Sequence, residues 1–206
     1  MTLSIGDLAL YAGALFVLFM TPGPVWVGLI ARAMSGGFRA AWPLAMGVVV
    51  GDVLWSVLAI LGVSWIVNQY GGFLTGIKYV ACVTFLVMGY MVIRNADKSI
   101  SSDSRLTRPG MMAGFIAGLA VILGNPKAIL FYMGMLPGFF DLTALTTPDI
   151  VAIAALSAIV PFVGNLIMGA FIGKIRALLT SPKALRRMNL TAGWLLIAVG
   201  VIIPFV

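Results

Sequence analysis

FMTPGPVWVG, residues 19–28, sets two prolines and a glycine inside an otherwise unbroken apolar segment. Pro22 and Pro24 have no amide hydrogen and crowd the carbonyl one turn earlier, so a helix running through Thr21-Pro22-Gly23-Pro24 must kink or break there. The surroundings make that break costly. Of 206 residues, 62% are hydrophobic and 9% charged, against roughly a quarter charged in soluble domains. The chain reads as an all-α integral membrane protein.

A bilayer core about 30 Å thick takes about 20 apolar helical residues to cross. Six segments qualify, residues 8–31, 40–67, 76–93, 111–136, 150–172 and 190–206, separated by stretches holding Gly, Pro, Asn, Ser, Asp, Lys and Arg. Loops 1–2, 3–4 and 5–6 carry eleven basic residues: Arg32 and Arg39; Arg94, Lys98, Arg105 and Arg108; Lys174, Arg176, Lys183, Arg186 and Arg187. The opposite side has Lys78 alone, with Asp7, Asp141 and Asp149. The positive-inside rule therefore predicts three cytoplasmic loops and both termini on the outer side. No positive residue precedes the first apolar run, which argues against a cleaved signal peptide.

The inventory excludes several chemistries. Histidine is absent and Cys82 is the single cysteine, so zinc sites built on His and Cys, dithiol redox pairs and Ser-His or Cys-His catalysis are ruled out. No GxxxxGK[ST] loop occurs. The net charge of +7 is scattered between apolar runs rather than laid along a stripe, so nucleic acid is not the expected partner. No metal or cofactor is expected, and the chain does not read as an enzyme.

The longest polar stretch, NADKSISSDSRLTRPG at residues 95–110, divides the chain into halves of three spans, 1–94 and 111–206. Three is odd, so related halves would be inverted in the membrane. Matching features occur in the same order. Span one has Thr21-Pro22-Gly23-Pro24 and span four Gly124-Asn125-Pro126-Lys127; span two has Gly51-Asp52 and span five Gly164-Asn165. The expected fold is a six-helix inverted 3+3 repeat with helices 1 and 4 broken. At 1.5 Å per residue, Pro22 lies about 21 Å from the outer end of span one and Pro126 about 22 Å from the inner end of span four. The breaks are thus related by inversion, and their freed backbone groups predict a polar site between the halves.

Asp52, about 18 Å into span two, is a carboxylate near the bilayer centre, where it costs about 2.5–3.5 kcal/mol on insertion scales. It should face the bundle interior and bind a substrate amino group, a cation or a proton. Lys127 either attracts a substrate carboxylate, pairs with Asp52, or snorkels to the surface. Asn125 and Asn165 could hydrogen-bond a ligand or join helices. Thr21 could cap the half-helix beyond it or touch a ligand. The spacings Gly47/Gly51, Gly110/Gly114/Gly118 and Gly169/Gly173 read as close helix packing. The methionines, tryptophans and Cys82 read as core, lipid-facing or interfacial residues.

TPGP in span one, Gly51-Asp52, the basic central loop, GNPKAILF (residues 124–131) and Gly164-Asn165 together resemble the LysE/RhtB family of small bacterial amino-acid exporters, over essentially the whole chain. The resemblance implies a protein of the bacterial inner membrane that exports amino acids or related metabolites, driven by the proton gradient; with the periplasmic termini read from the basic bias, the expected mechanism is alternating access between the two halves. It points to Thr21, Pro22, Gly23, Pro24, Asp52, Asn125, Pro126, Lys127 and Asn165. Its partners would be the substrate, protons and the lipid bilayer, with a homo-oligomer left open. Val25 departs from the polar residue, often Asn, that many members carry after TPGP. The rival readings are a passive small-solute pore, a membrane-embedded oxidoreductase, against which a single cysteine speaks, and a structural membrane subunit.

Overall fold

The computed structural model describes residues 2–69, 73–94, 96, 109–172 and 181–202, and every regular element among them is helical. α1, Ile5–Met20, starts at a capping box in which Ser4 Oγ accepts from the Asp7 amide while the Asp7 carboxylate accepts from the Ser4 amide, satisfying two otherwise free donors. It stops at Thr21, whose φ of −77° and ψ of 115° are extended, the conformation that a following proline enforces. α2, Pro24–Gln69, restarts with proline in its first position, where no amide is needed.

α2 is two helices in one run. Gly36 and Gly37 leave helical geometry, Gly37 at φ 64°, a backbone conformation that glycine adopts without steric cost. Trp26 and Asp52 line one cavity, although a straight helix would hold them about 39 Å apart. The legs before and after Gly36 therefore fold back on each other. Arg32 stitches this reversal together, donating from Nε to the Ala40 carbonyl (2.7 Å) and from Nη2 to the Gly110 carbonyl (2.8 Å). Sequence placed Arg32 in the loop between spans one and two, but it lies within the helical run. It is buried, its charge spread over backbone carbonyls.

α3 is Phe73–Arg94 and α4 Met111–Leu123. α4 ends at a second break, where Asn125 takes extended angles (φ −84°, ψ 105°) before Pro126. α5, Pro126–Leu130, leads into a π-helical turn, Phe131–Met135, and then α6, Leu136–Phe139. Pro137 cannot donate the bond back to the preceding turn, and the turn before it is π-helical. The helices on either side of the break differ in direction by 52°. α7, Thr147–Ala170, and α8, Pro182–Ile202, complete the chain.

By length and composition two helices suffice to cross a bilayer, Pro24–Gly62 and Thr147–Ala170, and the bent pair Met111–Leu123 with Pro126–Phe139 makes a third. This count falls short of the six spans expected, while the expected breaks in helices 1 and 4 are present. The first and fourth expected spans are each divided by proline, and α8 begins at Pro182, so Lys183, Arg186 and Arg187 are helical rather than in a loop. The connecting loop at 95–110, the basic residues at 98, 105, 108, 174 and 176, and the chain end at 203–206 lie outside the described residues, apart from 96, 109 and 110.

α2 packs on α4 and α7, and α3 packs on α8. Glycine permits the closest of these approaches. A Cβ on Gly47 would collide with the Phe115 carbonyl, and one on Gly118 with that of Leu44. Outside this core, Leu54, Leu58, Leu61, Ile159, Val163 and Ile167 are exposed. An apolar belt of this kind suits hydrocarbon as solvent rather than water.

Candidate functional site

Both helix breaks meet at one place. Lys127, in the first turn of α5, sends its Nζ to the carbonyls of Leu18 (2.9 Å) and Thr21 (2.5 Å) at the end of α1. An α-helix leaves its last carbonyls without intrahelical donors, and in hydrocarbon such groups cost several kcal/mol each. Lys127 therefore acts as a C-cap supplied by the other half of the chain. Thr21 Oγ1 donates to the Val17 carbonyl (2.9 Å) and the Trp26 indole to that of Phe19 (2.8 Å). At the second break, the Trp55 indole donates to the Ile122 carbonyl (3.3 Å), and Asn125 Oδ1 accepts from the Lys127 amide (3.2 Å).

The glycines before Asp52 and Asn165 explain how the breaks come so close. Phe19, the penultimate residue of α1, lays its ring where a Cβ on Gly164 would lie, 2.8 Å away; Ile122, the penultimate residue of α4, occupies the same place over Gly51. Each half-helix end is thus seated on a bare backbone next to a buried polar side chain. A Cβ on Gly23 would stand 3.5 Å from Lys127 Nζ.

A cavity of about 40 Å³ lies between these parts, lined by Asp52, Asn125, Lys127 and Asn165 with an apolar wall of Leu15, Leu18, Phe19, Val25, Val48 and Ile122. That is room for a few waters. Asp52, Asn125 and Asn165 are buried, and Asn165 Oδ1 has no hydrogen-bond partner among the described residues. Lys127 interacts electrostatically with Asp52 but spends its two hydrogen bonds on backbone carbonyls, which leaves a third N–H. The site thus offers a carboxylate and an amide oxygen as acceptors, an ammonium as donor, and a hydrocarbon wall.

Of the residues marked by sequence, Asp52, Asn125, Lys127 and Asn165 share the cavity. Thr21 is buried beside it with its carbonyl on Lys127, and Gly23 adjoins Lys127. Pro22, Pro24 and Pro126 do not line it; Pro24 and Pro126 are exposed. Val25 does line it, as does Trp26. Sequence reading passed over three buried hydroxyls: Tyr11 and Ser157, whose oxygens lie 2.7 Å apart, and Tyr132, which neighbours both and Asp52. A single Tyr or Ser in an apolar run carries no signal that separates it from packing.

Broken helices that turn polar groups and a carboxylate toward an internal cavity define a membrane transport protein. The LysE type translocator family matches residues 16–203, and the chain belongs to it; it is a transporter, not an enzyme. An uncharacterized membrane protein of Synechocystis sp. is 33% identical over 92% of this chain and 91% of its own length. Leucine efflux proteins of Salmonella choleraesuis and Salmonella typhimurium are each 27% identical over 78% of this chain and 77% of theirs. No solved structure matches the chain.

Proposed function

We propose that this protein exports amino acids, foremost those with apolar side chains, across the bacterial inner membrane by proton-coupled alternating access. The observation that carries this reading is the cavity where both helix breaks converge on Asp52, Lys127 and Asn165 under an apolar wall. Asp52 and Asn165 Oδ1 suit a substrate ammonium group, the free N–H of Lys127 suits its carboxylate, and the wall suits an aliphatic side chain. Val25 extends that wall where a polar residue would narrow the choice of side chain. The leucine efflux relatives agree with this substrate class.

The cavity is too small for an amino acid as it stands, so loading requires the walls to part, as alternating access demands. The same parts recur at both breaks: an extended residue before proline, an indole on the penultimate carbonyl, and a side chain seated on glycine beside a polar residue. This recurrence supports an inverted repeat of residues 1–94 and 111–206 that rocks about the site. The basic bias supports periplasmic termini.

Efflux of preloaded leucine from cells expressing the protein, with and without a protonophore, tests the reading. Efflux that collapses with the proton gradient is expected. Unchanged efflux would identify a passive pore, and no efflux of any amino acid would overturn the substrate class.

A further inference from the structure

Tyr132 is fully buried on the π-helical turn, and its hydroxyl makes no formed hydrogen bond among the described residues. Leaving a buried polar group without a partner costs about 1–3 kcal/mol, and such exceptions call for a reason. Polar side chains neighbouring this hydroxyl are Asp52 from α2, Ser157 from α7 and Tyr11 from α1, none of them in hydrogen-bond geometry with it. α5 brings Lys127, which acts on Asp52. α3, which also packs on the π turn, carries Tyr79, Tyr90 and Arg94, all exposed, and the half-buried Cys82.

Behind Tyr132 the hydroxyls are already joined. Tyr11 Oη and Ser157 Oγ lie 2.7 Å apart, and Ser157 donates to the Ile153 carbonyl at 2.8 Å, so Tyr11 is the donor within the pair. Tyr11 sits one turn before the cavity residue Leu15, and Ser157 one turn before Pro161. The hydroxyls therefore step from Asp52 toward the end of the bundle where α1 and α7 begin. Beyond them Tyr11 is packed against the rings of Phe139 (centroids 6.0 Å) and Phe140 (5.3 Å), which close the row off. A π turn holds one residue more than an α-helical turn of the same path, so losing it would slide Tyr132 relative to Asp52; such turns often mark functional sites.

We propose that Tyr132, Ser157 and Tyr11 form the proton path between Asp52 and the end of the bundle where α1 and α7 begin, with Tyr132 as the group that hands the proton to the carboxylate. The proposal rests on the proton-coupled reading above. In the inward direction Tyr132 gives its hydroxyl proton to the Asp52 carboxylate and takes one from Ser157. Ser157 takes one from Tyr11, and Tyr11 takes one from water once the rings part. Each oxygen loses and regains one proton, and one proton reaches Asp52.

The test uses the full chain in proteoliposomes and reads two modes for each variant: leucine transport driven by an imposed pH gradient, and leucine–leucine exchange without one. Tyr132→Phe keeps the ring and removes the hydroxyl. The expected result is a loss of roughly a hundredfold in gradient-driven transport, on the scale of a positioned proton donor, with exchange unchanged. Ser157→Ala and Tyr11→Phe should lose the same mode to a lesser degree. Gradient-driven transport at wild-type rate and with a wild-type pH profile in Tyr132→Phe overturns the path. So does loss of both modes in Tyr132→Phe while Ser157→Ala and Tyr11→Phe stay wild type, because Tyr132 is then a packing residue. A wild-type protein that ignores the pH gradient overturns the coupling reading and the path with it.

Discussion

Lys127 donates to the carbonyl of Thr21 at 2.5 Å, across more than a hundred residues of chain and between the two broken helices. The contact turns two local defects into one structure: the second half of the chain supplies the donor that the first break lacks. It also sets Lys127 beside Asp52 without joining the two in a hydrogen bond, so both retain capacity toward a ligand.

Lys127→Met should leave the Thr21 carbonyl without its donor, at about 1–3 kcal/mol for a buried group, and the Leu18 carbonyl with only the 3.3 Å bond from the Thr21 amide. Thermal unfolding in detergent should move to lower temperature and leucine transport should fall. Wild-type unfolding with wild-type transport would show that the cap is dispensable.

Gly164→Val should force the Phe19 ring off its seat, an overpacking cost of about 1–3 kcal/mol. Adding Phe19→Ala to Gly164→Val should recover part of that loss, because residues in contact are energetically coupled. A double-mutant cycle on unfolding measures this, and strict additivity would deny the contact.

These features differ in how far the chain announced them. Both breaks were legible because proline has one backbone chemistry wherever it stands, and a carboxylate at position 52 in an apolar run had to turn inward. The acceptors of Lys127 were not legible: they are backbone carbonyls of another helix, and only tertiary packing brings them within reach. Trp26 and Trp55 read only as core, lipid-facing or interfacial residues for the same reason, since nothing in the chain marks an indole N–H that caps a broken helix. Arg32 read only as a basic residue of the first loop, and its burial depends on a backbone reversal at Gly36 and Gly37 that supplies the Ala40 carbonyl. Tyr132 gave no signal, since the π turn beneath it has no residue signature of its own.

Asp149→Ala should release the N-terminus. The buried Asp149 carboxylate accepts from the amides of Thr2 (3.0 Å), Leu3 (3.2 Å) and Thr146 (2.9 Å) and from the hydroxyls of Thr2 and Thr146, pinning the start of α1 to that of α7. Hydrogen exchange of the Thr2 and Leu3 amides should accelerate markedly, with exchange in the middle of α7 unaffected. Unchanged protection would show that the segment is held by other contacts.

The proposed coupling of substrate movement to protons passes through Asp52. Leucine transport by the Asp52→Asn variant in proteoliposomes, with correct insertion verified and a pH gradient imposed, reads that coupling. The predicted result is that the wild type responds to the gradient and the variant does not. A variant that follows the gradient as the wild type does would show that coupling does not pass through Asp52.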